Sequence, residues 1–171
     1  MNEELKYIYE TTNSWLKYAE TKNAGLVAFN AAVLVGILQI NNGNKFLIYL
    51  SIIIFTLSII LNILSILAVL KKPLNIFLKT QTVNLEKDKD SISIYYFSDL
   101  AKLNSNQLLD IISYKFKNED NVNKASKDLA NQIIINAKIA FQKFKIFNLS
   151  GFLIIMGLIC TALSILIGNC A

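Results

Sequence analysis

Residues 15–36 read WLKYAETKNAGLVAFNAAVLVG, a stretch that changes from polar to apolar without a proline that would interrupt a helix. Its small residues recur at every fourth position, at Ala24, Ala28, Ala32 and Gly36. This spacing places them on one helix face, where the backbone of a neighbouring membrane helix can come close. The stretch therefore predicts one continuous helix that enters a bilayer and packs through this face, within the chain or between chains.

The composition extends this prediction to the whole chain. Of its 171 residues 54% are hydrophobic, the mean hydropathy is +0.45, and the apolar residues are concentrated in blocks at 24–40, 46–70 and 146–168. Blocks of this length can cross the hydrocarbon of a bilayer as helices. We therefore expect an all-α membrane protein with three transmembrane helices, divided into an amphipathic N-terminal helix over residues 1–23, a helical hairpin over 24–70, a small, mainly helical cytoplasmic domain over 71–145 and a third transmembrane helix over 146–168.

Lysines are distributed unevenly around these blocks. Only Lys45 lies between the first two blocks and none follows the third, whereas the segment 71–145 holds thirteen lysines against eight acidic residues. Because cytoplasmic loops are enriched in basic residues, we expect the N-terminus and this segment in the cytoplasm and the C-terminus outside.

Within the segment 71–145, local patterns predict individual elements. Residues 79–90 resemble a solvated loop, and SISIYYF at 91–97 predicts a short strand or extended segment because it is β-branched and aromatic. Ser105 is predicted to cap a helix that ends near Phe116. A last helix is predicted to begin near Asn121 or Asn123 and to continue into the third span.

The residue types argue against catalysis. The chain has no His, and all seventeen basic residues are Lys, so a Ser or Cys nucleophile lacks its usual base. Walker and dinucleotide-binding motifs are absent, and Cys160 and Cys170 do not form a zinc or disulfide pattern. We therefore expect no enzyme, no cofactor, no metal and no nucleic-acid partner.

A binding role remains for the cytoplasmic segment. Tyr95, Tyr96 and Phe97 have rings that can stack on a base, and lysine ammonium groups can meet a phosphate as point charges. The alternative is that the rings are core and the lysines are surface. We also expect Glu20 and Lys22 to pair with this segment, and Asp99 to pair with a lysine of the last helix. The candidate phosphate contacts are Lys72, Lys102, Lys138 and Lys143.

Polar residues recur in the second span. Ser51, Ser58 and Ser65 are seven apart, and Asn62 shares a helix face with Ser58 and Ser65. This pattern predicts either hydrogen bonds between membrane helices or a polar stripe that lines water in an assembled pore.

Three stretches resemble, in the same order, parts of the transmembrane effectors of Pycsar antiphage defence. The opening stretch resembles their W-x3-A-[DE]-T-K motif. YYFSDLA at 95–101 resembles a YFGDIA-like segment with serine in place of glycine, and QIIINAKIAFQKFKIF at 132–147 resembles their long helix before the closing membrane part. The matching residues are Trp15, Glu20, Thr21, Lys22 and Asn30 in the first stretch, Tyr96, Phe97 and Asp99 in the second, and Lys143 in the third.

The resemblance implies a homo-oligomeric effector in the bacterial inner membrane. Such an effector senses cyclic CMP or cyclic UMP, made by a partner cyclase during phage infection, and then impairs the membrane so that growth stops (abortive infection). Two alternatives are a constitutive membrane scaffold without a ligand and a self-acting channel or holin-like pore; a membrane accessory of an RNA-targeting CRISPR system is a third. The implied ligand-binding or switch residues are Trp15, Glu20, Thr21, Lys22, Tyr96, Phe97, Asp99 and Lys143, and the candidate membrane packing or pore residues are Ala28, Asn30, Ala32, Gly36, Ser58, Asn62 and Ser65.

Overall fold

The computed structural model describes residues 2–67, 89–117 and 123–170, which contain five helices. The predicted end of the second span at 68–70, the predicted loop over 79–88 and Lys72 lie outside the described residues. The helices are α1 (Asn2–Leu38), α2 (Lys45–Leu67), α3 (Phe97–Leu100), α4 (Ser105–Phe116) and α5 (Lys124–Cys170).

Three of these helices are long and apolar enough to cross a membrane, which confirms the three predicted spans by length and composition. α1 has 37 residues and passes without interruption from its polar half into its apolar half. α5 has 47 residues, so at ~1.5 Å per residue it is about 70 Å long. Both helices therefore extend well beyond the thickness of hydrocarbon that a single span needs.

The helix starts correct one sequence prediction and confirm another. Asn104, and not Ser105, caps α4: its side chain accepts a hydrogen bond from the amide of Gln107, and the Gln107 side chain accepts one from the amide of Asn104, both at 2.9 Å. This reciprocal pair is a capping box. At α5 the Asn123 side chain accepts from the amide of Ser126 at 2.8 Å, which places the start at the second of the two predicted asparagines.

The predicted strand at 91–97 was wrong. Among the described residues there is no strand; this segment makes turns and then α3. The backbone is extended at Tyr96, but its carbonyl accepts hydrogen bonds from the amides of Asp99 and Leu100 in α3. The Ile92 carbonyl accepts from the Lys115 ammonium at 2.8 Å, and the Ser93 amide donates to the Asp99 carboxylate at 3.2 Å. Side chains and turns thus satisfy the backbone groups that a sheet would otherwise pair.

The described residues form two compact units, which we call unit 1 (2–19, 89–117 and 123–142) and unit 2 (20–67 and 143–170). Unit 1 has an apolar core that α1, α4 and α5 share. Leu5 and Ile8 are buried with Leu108, Ile112 and Ile133, as their helical spacing in the sequence indicates.

Unit 2 is built from the later part of α1, from α2 and from the later part of α5. Its apolar core is a cluster of Ile37, Phe55 and Ile154. Most of the remaining buried positions are polar, and most of them are seven residues apart on their helix, which is the period of coiled-coil contacts. They are Asn23 and Asn30 on α1, Ser51, Ser58 and Ser65 on α2, and Lys143, Ser150, Gly157 and Ser164 on α5; Asn62 on α2 is also buried, outside this spacing.

The small-residue face of α1 is exposed in the described structure. Ala24, Ala28, Ala32 and Gly36 are all exposed, because α1 packs in unit 2 through the face that carries Asn30. Of the two predicted alternatives, a seam within the chain or between chains, the described residues make no seam within the chain, and a contact between chains stays a prediction.

Candidate functional site

An aromatic cluster in unit 1 joins the first and second motif stretches. The indole Nε1–H of Trp15 donates to the carbonyl of Tyr95 at 3.1 Å. The Trp15 ring lies 6.1 Å from the Tyr96 ring, nearly perpendicular to it, and 5.3 Å from the Phe97 ring. Both geometries lie in the range of favourable aromatic pairs. Residues that are eighty positions apart in the chain are thus held in one cluster.

The cluster has a buried base and an exposed rim. Phe97 is buried and its ring lies 6.5 Å from Phe141 on α5, so Phe97 belongs to the core. Tyr95 and Tyr96 are 42% and 45% exposed. The alternative that Tyr96 is core was therefore wrong, and part of its side chain is open to solvent beside Trp15.

Two lysines of unit 1, Lys102 and Lys138, differ in their contacts. Lys102 forms an ion pair with Asp99 at 3.1 Å, so the predicted pairing of Asp99 with a lysine of the last helix was wrong. Lys138 lies one turn before Phe141 on α5, is half-buried, and has no hydrogen-bond or ion-pair partner among the described residues. Its ammonium is therefore the better candidate for a phosphate oxygen.

A second polar centre lies at the end of unit 2 where α1 and α5 enter it. The Lys143 ammonium lies 3.3 Å from a Glu20 carboxylate oxygen and donates to the Ser65 carbonyl at 2.6 Å. The Lys143 side chain is 4% exposed, whereas that of Glu20 is 41% exposed. Asn23 donates to the Ser65 hydroxyl at 3.2 Å and to the Lys143 carbonyl at 3.3 Å. One buried ammonium thus ties α5 to α1 and to the last described turn of α2.

A second polar layer lies further into unit 2, seven residues along each helix from Asn23, Ser65 and Lys143. Asn30 donates to the Ser58 hydroxyl at 2.8 Å, and that hydroxyl donates to the Ser150 carbonyl at 3.5 Å. Asn62 donates to the Ser58 carbonyl at 2.8 Å. Ser58, Asn62 and Ser65 are all buried; Ser58 and Ser65 make hydrogen bonds to other helices, whereas Asn62 bonds within α2.

Two further predicted residues, Thr21 and Lys22, follow Glu20 on α1. Lys22 has its ammonium 4.9 Å from the Phe147 ring centroid and 5.8 Å from that of Phe144, a cation–π geometry. Thr21 is exposed on α1. No group of three or more His, Cys, Asp or Glu in the described parts of the chain is arranged to hold a metal ion.

Sequence reasoning missed three buried polar residues of unit 2, Asn23, Ser150 and Ser164. A signal was present, because Asn23 precedes Asn30 by seven positions, and Ser150 and Ser164 follow Lys143 by seven and twenty-one. The heptad spacing is conspicuous only in the second span, where the polar residues stand out against an uncharged apolar block.

One of three comparisons with known proteins found a match. The family model of the Pycsar effector protein domain, PycTM, matches residues 4–168, nearly the whole chain. The comparisons with curated proteins and with solved structures returned no match. Together with three helices that are long and apolar enough to span a bilayer, the family match assigns this chain to the Pycsar effector protein family, as a membrane effector of antiphage defence.

Proposed function

We propose that the chain senses a cyclic pyrimidine mononucleotide, cyclic CMP or cyclic UMP, and then makes the bacterial inner membrane permeable, as an abortive-infection effector. The observation that carries this proposal is the contact of Trp15 with the Tyr95–Phe97 segment. The two family motifs meet in one cluster, as expected if they build one ligand site. The family itself is not a known enzymatic one, and we propose a binding role without catalysis.

The ligand chemistry suits the residues of this cluster. A pyrimidine base stacks on an exposed aromatic ring, and Tyr96 offers one beside the edge of Trp15. A cyclic phosphate carries one negative charge, which the ammonium of Lys138 neutralises without a bidentate guanidinium. Binding measurements test both the base contact and the phosphate contact.

A ligand changes the membrane helices only if it binds one of their arrangements better than another. α1 carries Trp15 in unit 1 and Glu20 in unit 2, and α5 carries Phe141 in unit 1 and Lys143 in unit 2. We propose that ligand binding acts on these two continuous helices and thereby on the Glu20–Lys143 pair. Oligomer formation through the exposed Ala28–Ala32–Gly36 face is part of the same proposal.

The single tryptophan provides the test, because Trp15 is the only one in the chain. The purified full chain is titrated with cyclic CMP, cyclic UMP and cyclic AMP while tryptophan fluorescence is recorded. We expect a saturable change with a cyclic pyrimidine and little with cyclic AMP. Tyr96→Ala is expected to weaken binding about tenfold by loss of stacking. Tyr114→Ala, an exposed tyrosine on α4, is the matched control and is expected to bind normally.

Three results would count against this function. Fluorescence that no nucleotide changes, in a chain that is folded by circular dichroism, argues for a constitutive scaffold. Equal responses to cyclic CMP and cyclic AMP argue against pyrimidine sensing. Toxicity on expression without any cyclase argues for a self-acting pore.

A further inference from the structure

The interior of unit 2 has an excess of hydrogen-bond acceptors. Four buried oxygen atoms have no hydrogen-bond partner among the described residues. They belong to residues of all three helices of the unit, each of them fully buried. They are Oδ1 of Asn23, Oδ1 of Asn30, Oδ1 of Asn62 and the hydroxyl oxygen of Ser150.

Lipid cannot satisfy these oxygens, because the hydrocarbon of a bilayer offers no donors. Their own amide nitrogens are already engaged: Asn23 donates to Ser65 and Lys143, Asn30 to Ser58, and Asn62 to the Ser58 carbonyl. Buried polar groups of this kind are satisfied by ordered water or by a cation. Three of the four are amide oxygens, which only accept, and the Ser150 hydroxyl can also donate, so the unused capacity is mainly for a donor such as water or for a hydrated monovalent cation.

An apolar layer closes this polar interior toward the 41–44 turn. The Phe55 ring lies directly against Gly157, so close that a Cβ at that glycine would be 2.7 Å from it. Ile37 and Ile154 complete the layer. Beyond it the interior is polar again, because Ser51 donates to the Gly157 carbonyl at 3.4 Å and Ser164 donates to the Asn44 carbonyl at 3.0 Å.

We infer that the interior of unit 2 is a latent path for monovalent cations, hydrated at the amide oxygens and closed by the Phe55 layer. An apolar constriction between polar regions blocks ions by excluding water, and it conducts once it is wetted. The ammonium of Lys143 at the end of the path is compensated by Glu20 at 3.3 Å. This inference rests on the proposed permeabilisation of the membrane and locates the path inside one protomer.

The test replaces the Phe55 side chain of the apolar layer and needs no nucleotide. The full chain, as wild type, Phe55→Ser and Phe46→Ser, is reconstituted into liposomes loaded with potassium chloride. Phe46 is the matched control because it is a phenylalanine of the same helix whose side chain is exposed. We expect Phe55→Ser to release potassium about tenfold faster than wild type, with chloride retained, as for a wetted constriction. Phe46→Ser is expected to release potassium like wild type.

A second variant distinguishes an ion path through unit 2 from a nonspecific leak caused by a damaged fold. Asn62→Leu removes one unpartnered oxygen at similar volume, so Phe55→Ser/Asn62→Leu is expected to release potassium more slowly than Phe55→Ser. Four results would overturn the inference. Phe55→Ser, folded by circular dichroism, could release potassium no faster than wild type, or it could release chloride as fast as potassium. The double variant could release potassium as fast as Phe55→Ser, or Phe46→Ser could do so. If a cyclic pyrimidine opens the wild type while Phe55→Ser stays tight without it, the proposed function stands and this path fails.

Discussion

The unequal exposure of Glu20 and Lys143 predicts an asymmetric response to breaking their pair. Glu20→Gln leaves an ammonium that is 4% exposed without its counter-charge, whereas Lys143→Met leaves a carboxylate that is 41% exposed and that water can hydrate. Breaking a buried pair by removing one partner destabilises a protein by ~3–5 kcal/mol, chiefly because the other charge stays buried. The loss of unfolding free energy should therefore depend on which of the two charges is removed.

The contacts that remain in each variant set the expected loss of unfolding free energy. After Glu20→Gln the ammonium keeps its 2.6 Å bond to the Ser65 carbonyl, so we discount the buried-pair figure to about 2–3 kcal/mol. Lys143→Met leaves the Ser65 carbonyl without this donor, and we expect about 1–2 kcal/mol. The double variant should lose less than the sum of the two, because neither charge then remains buried.

Unfolding of the full chain in detergent, followed by circular dichroism, measures these differences. The partly exposed pair Asp99–Lys102 is the control; the amide oxygen that Asp99→Asn introduces can still accept from the Ser93 amide, so this substitution should cost no more than about 0.5 kcal/mol. The reasoning is refuted if Glu20→Gln costs no more than Asp99→Asn, if Lys143→Met costs more than Glu20→Gln, or if the two losses add in the double variant.

Three further predictions concern other parts of the chain. Asn104→Ala removes a capping box and should lower stability by about 1 kcal/mol in thermal unfolding, whereas Ser105→Ala should change it little; equal effects would contradict the assigned cap. With the native cysteines replaced by serine, Ala28→Cys should form disulfide-linked dimers in membranes and Phe29→Cys, exposed on another face, should not; the reverse would place the contact elsewhere. Alkaline phosphatase fused after residue 171 should be active in cells, since lysine placement puts the C-terminus outside; an inactive, stably expressed fusion would invert the topology.

Much of the fold follows from the sequence because the spans are decided by length and hydropathy. The blocks at 24–40 and 146–168 contain no proline, so α1 and α5 continue through them from their polar halves. The start of α5 was predicted within a few residues because Asn123 is a strong N-cap residue. The apolar spans and the N-cap asparagine can each be recognised in a short stretch of sequence, which is why they could be predicted.

The errors arise where tertiary contacts override local preference. SISIYYF has high strand propensity, but it has no neighbouring strand in the part of the chain that the structure describes, and Trp15 and Lys115 donate to two of its carbonyls. The small-residue face of α1 suited a seam within or between chains, and Asn30 occupies the face that packs inside unit 2. A single sequence does not tell which face a partner helix covers, because both the small residues and the asparagine suit close packing in a membrane.

Membrane potential in bacteria that express the chain, with and without a pyrimidine cyclase, tests the central claim most directly. The account predicts depolarisation and growth arrest only when both proteins are present, or when cyclic CMP or cyclic UMP is supplied. Depolarisation by the chain alone, or a normal potential when the chain, the cyclase and its product are all present, would contradict it.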